Sequence, residues 1–383
     1  MAEQYRILTY APWSLNGRGP GQTCVWLVSD FPPGPARTEL YTPRTRISLS
    51  PRLVTHQSLP PGLRKLPWPM VSNVGLRRLD LSFEKALKSA RPSETIAYFY
   101  PDPPRHLVEL ARDRGITTIR EMINTACATA GPILDEAYRR HGRVPDHPVT
   151  EAKIRAESAE LRLYDYIFAN NAEVERSLQS LGIAREKIVS TSFGWSRERF
   201  AGGRPNGSDN RPLRFLFVGT LNIRKGVPEL LAAWQQADPD GELILAGHID
   251  GQVAELVSKS RDGSRIRTIE YTEDVEGLFR DSDVFVFPSL EEGGPQVTYE
   301  AAGCGLPLIT TPMGAGRIAR EGRTALTVAP GNVDELAAAI GTLAADRQLR
   351  EDLGCQAEAL AQDYTYQRVA EQRYAFMCGL LDS

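Results

Sequence analysis

Cysteine is scarce and unpaired in this sequence. The five residues Cys24, Cys127, Cys304, Cys355 and Cys378 are odd in number, far apart and never spaced C-x-x-C. That pattern suggests neither a disulfide framework nor a cysteine-built zinc site, and a reducing, cytoplasmic compartment fits it. The five histidines, His56, His106, His141, His147 and His248, never fall at metal-ligand spacing, so no resident metal is expected. No window approaches the roughly 18–20 apolar residues that span a bilayer, and Met1 to Trp13 lacks a basic stretch followed by an apolar run and a cleavage site. An integral membrane protein and an obvious export signal are thereby set aside. Charge of one sign is missing too: 45 Lys and Arg against 48 Asp and Glu leave a net charge of -3, with no built-in attraction to a polyanion. A dedicated nucleic-acid binder is not expected.

What is present is ordinary globular material in quantity. The 383 residues exceed what one core usually serves, and 42% hydrophobic residues with 32 Gly exclude disorder and fibrous repeats. Proline is uneven, with 18 of 27 in residues 1–150, and Phe31 to Pro69 reads as loops with short extended pieces. Short apolar runs (Tyr5–Tyr10, Thr95–Tyr100, Ile116–Ile119, Tyr166–Ala169, Lys187–Thr191) alternate with helical periodicity at Arg105–Arg114 and Glu151–Tyr164. Strand, helix, strand implies a parallel sheet.

Phe200 to Pro212, FAGGRPNGSDNRP, has no apolar period and reads as an interdomain linker. The expected organisation is a first domain over 1–199, a linker over 200–212 and a second domain over 213–365. A last helix over 366–383 would then be placed to pack back on the first domain. After the linker, five strands (Leu213–Val218, Glu242–Ala246, Arg267–Tyr271, Val284–Pro288, Leu308–Thr310) are each followed by a helix or helical tail. The fold class is therefore α/β, two doubly wound domains facing each other across a cleft, and ligands of such sheets bind at the strands' carboxyl ends.

Two clusters in the second half carry chemistry. In FLFVGTLNIRKG a buried strand ends at Gly219, and a short turn brings Arg224 and Lys225 to the start of a helix. A guanidinium fork, a compact ammonium and helix N–H groups together suit a diphosphate, although a solvated basic turn would look the same. In VFVFPSLEEGGPQVTYEAAGCGLP, Glu292 lies in a glycine-containing loop and Glu300 eight positions later on a helix. A carboxylate in each place can accept from sugar or ribose hydroxyls, and Gly293 and Gly294 permit close backbone approach. Taken alone, paired glutamates flanking a helix start are more often dipole complements and surface charge.

The order of these features resembles the family-4 retaining glycosyltransferases of the GT-B fold, which belong to glycosyltransferase group 1. The likeness is carried by Lys225-Gly226, Pro288-Ser289, Glu292, seven residues, Glu300-Ala301 and Gly305-Leu306-Pro307. It covers Leu213 to about Ala361, with weaker echoes in YDYIFANNAEVERSL and SFGWSRERF. The resemblance implies transfer of a sugar from a nucleotide-diphosphate donor to a hydroxyl acceptor, with retention, by same-face attack and without a metal. It places Lys225 and Arg224 on the donor diphosphate, Glu300 on the ribose and Glu292 at the sugar. Gly293, Gly294, Pro295, Gln296 and Val297 would present backbone amides, and the nucleotide sugar is a substrate, so no cofactor is implied. Gly219-Thr220 stands where many members have Gly-Arg, and the first-domain histidine of many members has no counterpart in TTIREMIN, where Glu121 and Asn124 are the nearest polar groups. In NGRGPGQT, Gly19 and Gly21 would let the backbone approach the donor across the cleft. Tyr271 could contact the base, although a rim aromatic is the plainer reading. A non-catalytic nucleotide-sugar or glycan binder, or an epimerase or phosphorylase of this architecture, remain the alternatives.

Other motifs point nowhere in particular. MGAGRIA imitates a dinucleotide fingerprint but has no βαβ unit after it, so it reads as a turn near the donor. DSD at Asp281–Asp283 imitates a metal motif and reads as a helix cap. Residues 31–91 hold 11 Lys and Arg against 3 Asp and Glu. That excess could give peripheral contact with an anionic membrane face or acidic acceptor, or be a solvated face.

Overall fold

The computed structural model describes residues 4–17, 19–200, 211–261, 265–272 and 274–382, so most of the stretch read as linker lies outside them. The first half runs β1 (Tyr5–Tyr10), β2 (Ser14–Leu15), α1 (Gly19–Ser29), β3 (Ala36–Thr42), β4 (Arg44–Thr45), β5 (Val54–Gln57), α2 (Trp68–Ser89), β6 (Thr95–Phe99), α3 (Arg105–Asp113), β7 (Thr117–Glu121), α4 (Cys127–Arg140), α5 (Glu151–Leu161), β8 (Tyr166–Ala169), α6 (Ala172–Ser180) and β9 (Ile188–Ser190). The second runs β10 (Leu213–Val218), α7 (Val227–Ala237), β11 (Gly241–Ala246), α8 (Ala254–Arg261), β12 (Ile266–Ile269), α9 (Val275–Arg280), β13 (Val284–Phe287), α10 (Gln296–Gly303), β14 (Leu308–Thr310), β15 (Ala325–Thr327), α11 (Val333–Ala345), α12 (Arg347–Ala361) and α13 (Tyr366–Leu381).

Seven strands form one sheet in the order β5-β3-β1-β6-β7-β8-β9, and six form the other in the order β12-β11-β10-β13-β14-β15. The pairings around each centre are parallel, β1 with β3 and β6, β10 with β11 and β13. Both sheets start in the middle and reverse direction once. Their crevices therefore open outside β1/β6 and β10/β13, where the flanking connections leave to opposite faces. The apolar runs explain the inner strands: β13 reads VFVF and is buried throughout, as a strand covered on both faces must be.

The stretch 31–69, expected as loops with short extended pieces, supplies a seven-residue strand to the main sheet. It contains β3, which pairs with both β1 and β5 and is buried at all but one position. Polar Glu39 hid the strand. Against the upward push of burial, hydrogen bonds from His56 and Arg6 hold its carboxyl at about 2, so a charge is tolerated inside the sheet. Helices α1, α2 and α4 also escaped the sequence reading, because Gly19-Pro20-Gly21 and Pro67 with Pro69 stand at the starts of the first two, and Gly131-Pro132 lies inside the third. Proline in a first turn costs a helix little.

The chain crosses between the sheets twice. Phe193 to Phe200 leads out, and 361–366 leads back; Trp195 N–H donates to Tyr364 O (3.1 Å) and Tyr366 N–H to Trp195 O (3.0 Å). Helix α13 then lies on the first sheet, where Ala370, Tyr374, Met377 and Cys378 share a core with Ile7, Leu40 and Tyr98. The Tyr374 hydroxyl both accepts from Ala36 N–H (2.9 Å) and donates to Ala36 O (3.1 Å).

Candidate active site

A cavity of about 710 Å³ lies between the domains at the carboxyl ends of β10, β11 and β12. From the second domain it is lined by Gly219, Thr220, Gly247, His248, Tyr271, Gln296 and Glu300, and from the first by Gly17, Gly19, Gln22 and Trp26. A larger hollow of about 900 Å³ sits behind the hinge, between Trp195–Glu198 and α12/α13. It is not at the strand ends, whereas the smaller cavity is, with Glu300 and the glycine turns on its wall. Two glycines let the strand ends meet at its wall: a Cβ on Gly247 would stand 1.9 Å from Gly219 O, with φ of +143° and +149° at the two positions.

Arg224 and Lys225 close the turn after β10, and Gly226, at φ +70°, turns the chain into α7. The loop after β13 meets them with two acids. Glu292 forms a direct ion pair with Lys225 Nζ and lies 3.8 Å from Arg224 Nη1, while Glu291 accepts from Arg224 Nη1 at 3.1 Å. Both carboxylates are almost wholly buried, and Lys225 Nζ also stands over the Phe287 ring at 5.1 Å. Burial and the adjacent Arg224 guanidinium push the Lys225 ammonium well below the ordinary lysine range. Two basic and two acidic side chains thus face one another at this corner.

Glu300, on α10, borders the cavity and is buried. Burial pushes its carboxyl up to about 7; Arg199 opposes the shift and Glu276 adds to it. Arg199 is itself held by Glu276 (Nε to Oε1, 2.9 Å) and lies over Trp26. Tyr271, 65% exposed, stands at the cavity's outer rim.

Not every residue nominated from sequence faces this space. Gly21 is buried within α1, where a Cβ would press on Leu15 and Trp13 of its own domain, whereas Gly19 does line the cavity. Glu121 has no exposure: it accepts from Arg373 and Asn170 and from the Tyr98 hydroxyl, so both its oxygens are committed to holding α13. Asn124 is exposed and adjoins the Glu-rich loop, because a Cβ on Gly293 would meet Ile123 O at 2.2 Å and Asn124 Cα at 2.4 Å. The close approach granted by Gly293 and Gly294 is thus to the other domain's backbone and to Asn170 and Phe193. Pro295 is the N-cap of α10, Val297 packs into the core, and the Gln296 amide donates to Thr23 and Tyr366 hydroxyls. Of the DSD triplet, Asp283 binds Arg211 (2.6 Å) and the Arg214 N–H (2.8 Å), and Asp281 ends α9.

Several interdomain residues went unnoticed in the sequence. Arg317, in MGAGRIA, donates to Ala169 O (2.9 Å), to Thr191 O and to Glu175, clasping the first domain. His141 meets Glu229 at 2.9 Å, and Thr125 meets Glu291. No local pattern marks them, since their partners lie more than 80 residues away.

Residues 212–346 match the family model described as Glycosyl transferases group 1. Among curated proteins, glycogen synthase of Mycobacterium tuberculosis (strain ATCC 25618 / H37Rv) is 28% identical over 299 residues, 73% of this chain and 64% of that protein. D-inositol 3-phosphate glycosyltransferase of Paenarthrobacter aurescens is 28% identical over 196 residues, 48% of this chain and 47% of that protein. The chain thus spans less than two thirds of the length of these relatives. Among solved structures, sucrose-phosphate synthase from Thermosynechococcus elongatus superposes with a TM-score of 0.74 at 19% identity, covering 99% of both chains. Anabaena HepE in complex with UDP superposes with a TM-score of 0.65 at 16% identity, covering 98% of this chain and 99% of that one. At such identities the superpositions speak for the fold, which is GT-B.

Proposed function

We propose that this chain, whose carboxy-terminal domain belongs to glycosyl transferases group 1, moves a sugar from a nucleotide-diphosphate donor to a hydroxyl acceptor. The observation that carries the reading is the convergence on one interdomain cavity of Gly219, Thr220, Tyr271 and Glu300 with Gly17 and Gly19, beside the Arg224-Lys225 corner. The base lies toward Tyr271, the ribose diol on Glu300 and the diphosphate between the glycine turns and the two cations. Glu292 is assigned to the sugar, and of the loop after it Gln296 borders the cavity.

Chemistry follows from charge. As the glycosidic bond breaks, negative charge grows on the departing diphosphate, and Lys225 exchanges Glu292 for phosphate oxygens to stabilise it. Removing one such fixed donor typically costs a factor of about 10²–10³ in turnover. With protein cations in this role the reaction needs no metal. The acceptor hydroxyl enters on the face the diphosphate leaves, a leaving oxygen takes its proton, and the anomeric configuration is retained. The number and spacing of the five cysteines accord with a reducing, cytoplasmic site of action.

The test is a panel of UDP-, ADP- and GDP-sugars with simple glycan and polyol acceptors. Acceptor-dependent release of nucleoside diphosphate, with the product anomer read by NMR, is the expected result. A chain that binds none of the nucleotides and turns over none of the donors refutes the reading.

For a peripheral partner, α2 is the relevant surface. Among the described residues, four of the seven exposed large apolar side chains, Leu66, Met70, Val74 and Leu81, lie on it or just before it, beside exposed Arg77, Arg78, Lys85 and Lys88. Apolar and cationic groups on one helix face suit an anionic lipid surface. Among the described residues no helix is long and apolar enough to cross a membrane. Co-sedimentation with phosphatidylglycerol vesicles, lost with Met70→Ser and Leu81→Ser, supports lipid contact; equal sedimentation of the variants, or none for the wild type, counts against it.

A further inference from the structure

The two adjacent acids after β13 look in different directions. Glu292 faces Lys225 within its own domain, whereas Glu291, 2% exposed, reaches across to the first. Its Oε1 accepts from Thr125 N–H at 3.2 Å and from Thr125 Oγ1–H at 2.8 Å. Thr125 immediately precedes Ala126, the N-cap of the fourteen-residue helix α4, so the carboxylate also sits at a positive helix end. The other oxygen accepts from Arg224 Nη1 at 3.1 Å, and the same nitrogen donates to Glu291 O at 3.3 Å. Arg224 is anchored to this loop again through its carbonyl, which accepts from Leu290 N–H at 2.9 Å. One carboxylate therefore joins the first domain to Arg224, one of the two cations of the corner.

Charge sharing gives that join a direction. Two donors on Oε1 draw charge from the carboxylate and fix its rotamer, so its grip on Arg224 is oriented and weakened together. With the first domain withdrawn, the same carboxylate is freed to compete with phosphate for the guanidinium. We propose that Glu291 is a positioning residue that couples closure of the domains, through Thr125, to the readiness of Arg224 for the donor's diphosphate. This inference rests on the reading of the Arg224-Lys225 corner as a diphosphate site.

The test separates the two ideas. In the ligand-free full chain, X-ray scattering and hydrogen exchange at 122–127 and 289–293 report closure without any donor. Thr125→Val, which keeps the backbone donor and loses the hydroxyl, should open the domains and raise exchange in both segments, and Thr125→Ser should restore the wild-type values. Calorimetry with UDP, ADP and GDP then reads the coupling: a hydrogen bond to a charged group is worth roughly a factor of ten or more, so Thr125→Val should bind the preferred diphosphate about tenfold more weakly. Glu291→Gln should remove this dependence, so that Thr125→Val has no further effect in its background. Unchanged scattering and exchange in Thr125→Val overturns the clasp. An open Thr125→Val chain with wild-type nucleotide affinity overturns the coupling. If the wild type binds none of the three nucleotides, the transferase reading and the coupling fall together, and the scattering arm still judges the clasp.

Discussion

Arg373, on the last helix, donates to both oxygens of Glu121 on the first sheet, at 3.0 Å and 3.3 Å, in a pocket with no solvent exposure at either side chain beyond 1%. The guanidinium also donates to Asn170 Oδ1 at 2.7 Å and stands over Phe168. The chain's end is thus tied into the domain that holds its beginning, through a charge pair that has no water to fall back on.

Removing one partner of such a pair leaves the other charge buried and alone. Arg373→Ala should destabilise the protein by about 3–5 kcal/mol, read by denaturant unfolding. The double variant Arg373→Met/Glu121→Gln should lose clearly less. Equal losses in the single and double variants would show that packing of α13, not the charge pair, carries the effect.

Glu300 should make nucleotide binding depend on pH near neutrality. Its carboxyl, raised to about 7 by burial, must be ionised to accept from both ribose hydroxyls. UDP affinity should therefore fall as pH drops below 7, by up to about tenfold per unit. Glu300→Gln should flatten that part of the profile. Folding runs the opposite way: because the folded state holds this proton more tightly, the contribution to stability is full below about 4.5 and is lost as pH rises through about 7. A pH profile identical in wild type and Glu300→Gln would remove Glu300 from the ribose.

Lys225 and Glu292 form an ion pair, so the two substitutions should part company in binding. Lys225→Ala should weaken UDP binding roughly 10–100-fold and abolish turnover, since a charge-assisted contact to phosphate is lost. Glu292→Gln should leave UDP binding intact or tighter, because a competitor for Lys225 is gone, while turnover still falls about 10²-fold or more. Weaker UDP binding in Glu292→Gln would mean that the acid supports the diphosphate site and does not compete with it.

Gly293 touches the opposite domain, and a methyl group there would stand 2.2 Å from Ile123 O. Gly293→Ala should hold the domains apart: a larger radius of gyration and loss of turnover, with unfolding shifted by no more than about 1 kcal/mol. A compact Gly293→Ala chain with wild-type turnover would mean that the interface yields at no cost.

Legibility varied with the range of the interaction that forms each feature. Strands β1, β8, β10 and β14 end where their apolar runs end, because burial on both faces demands continuous apolar sequence. Strand β3 was not legible, since its buried Glu39 is made tolerable only by Arg6 and His56 on neighbouring strands. The order of turn, acid and helix around Arg224, Lys225, Glu292 and Glu300 could be read along the chain; in the structure Glu300 borders the interdomain cavity, and Arg224, Lys225 and Glu292 meet one another at the turn that follows Thr220. Glu121 was misplaced because its partner, Arg373, is 252 residues away.

Local order alone specified two doubly wound α/β halves and the motif that marks the second, since strand periodicity, helix starts and glycine turns are set by neighbours a few residues apart. Which glutamate faces a cation of its own domain and which one bridges to the other, and which end of the chain completes the first domain's core, were decided only when the sheets met. Glu291 and Glu292 are adjacent and chemically alike, and what separates their roles is the position of Thr125 and Lys225 in space.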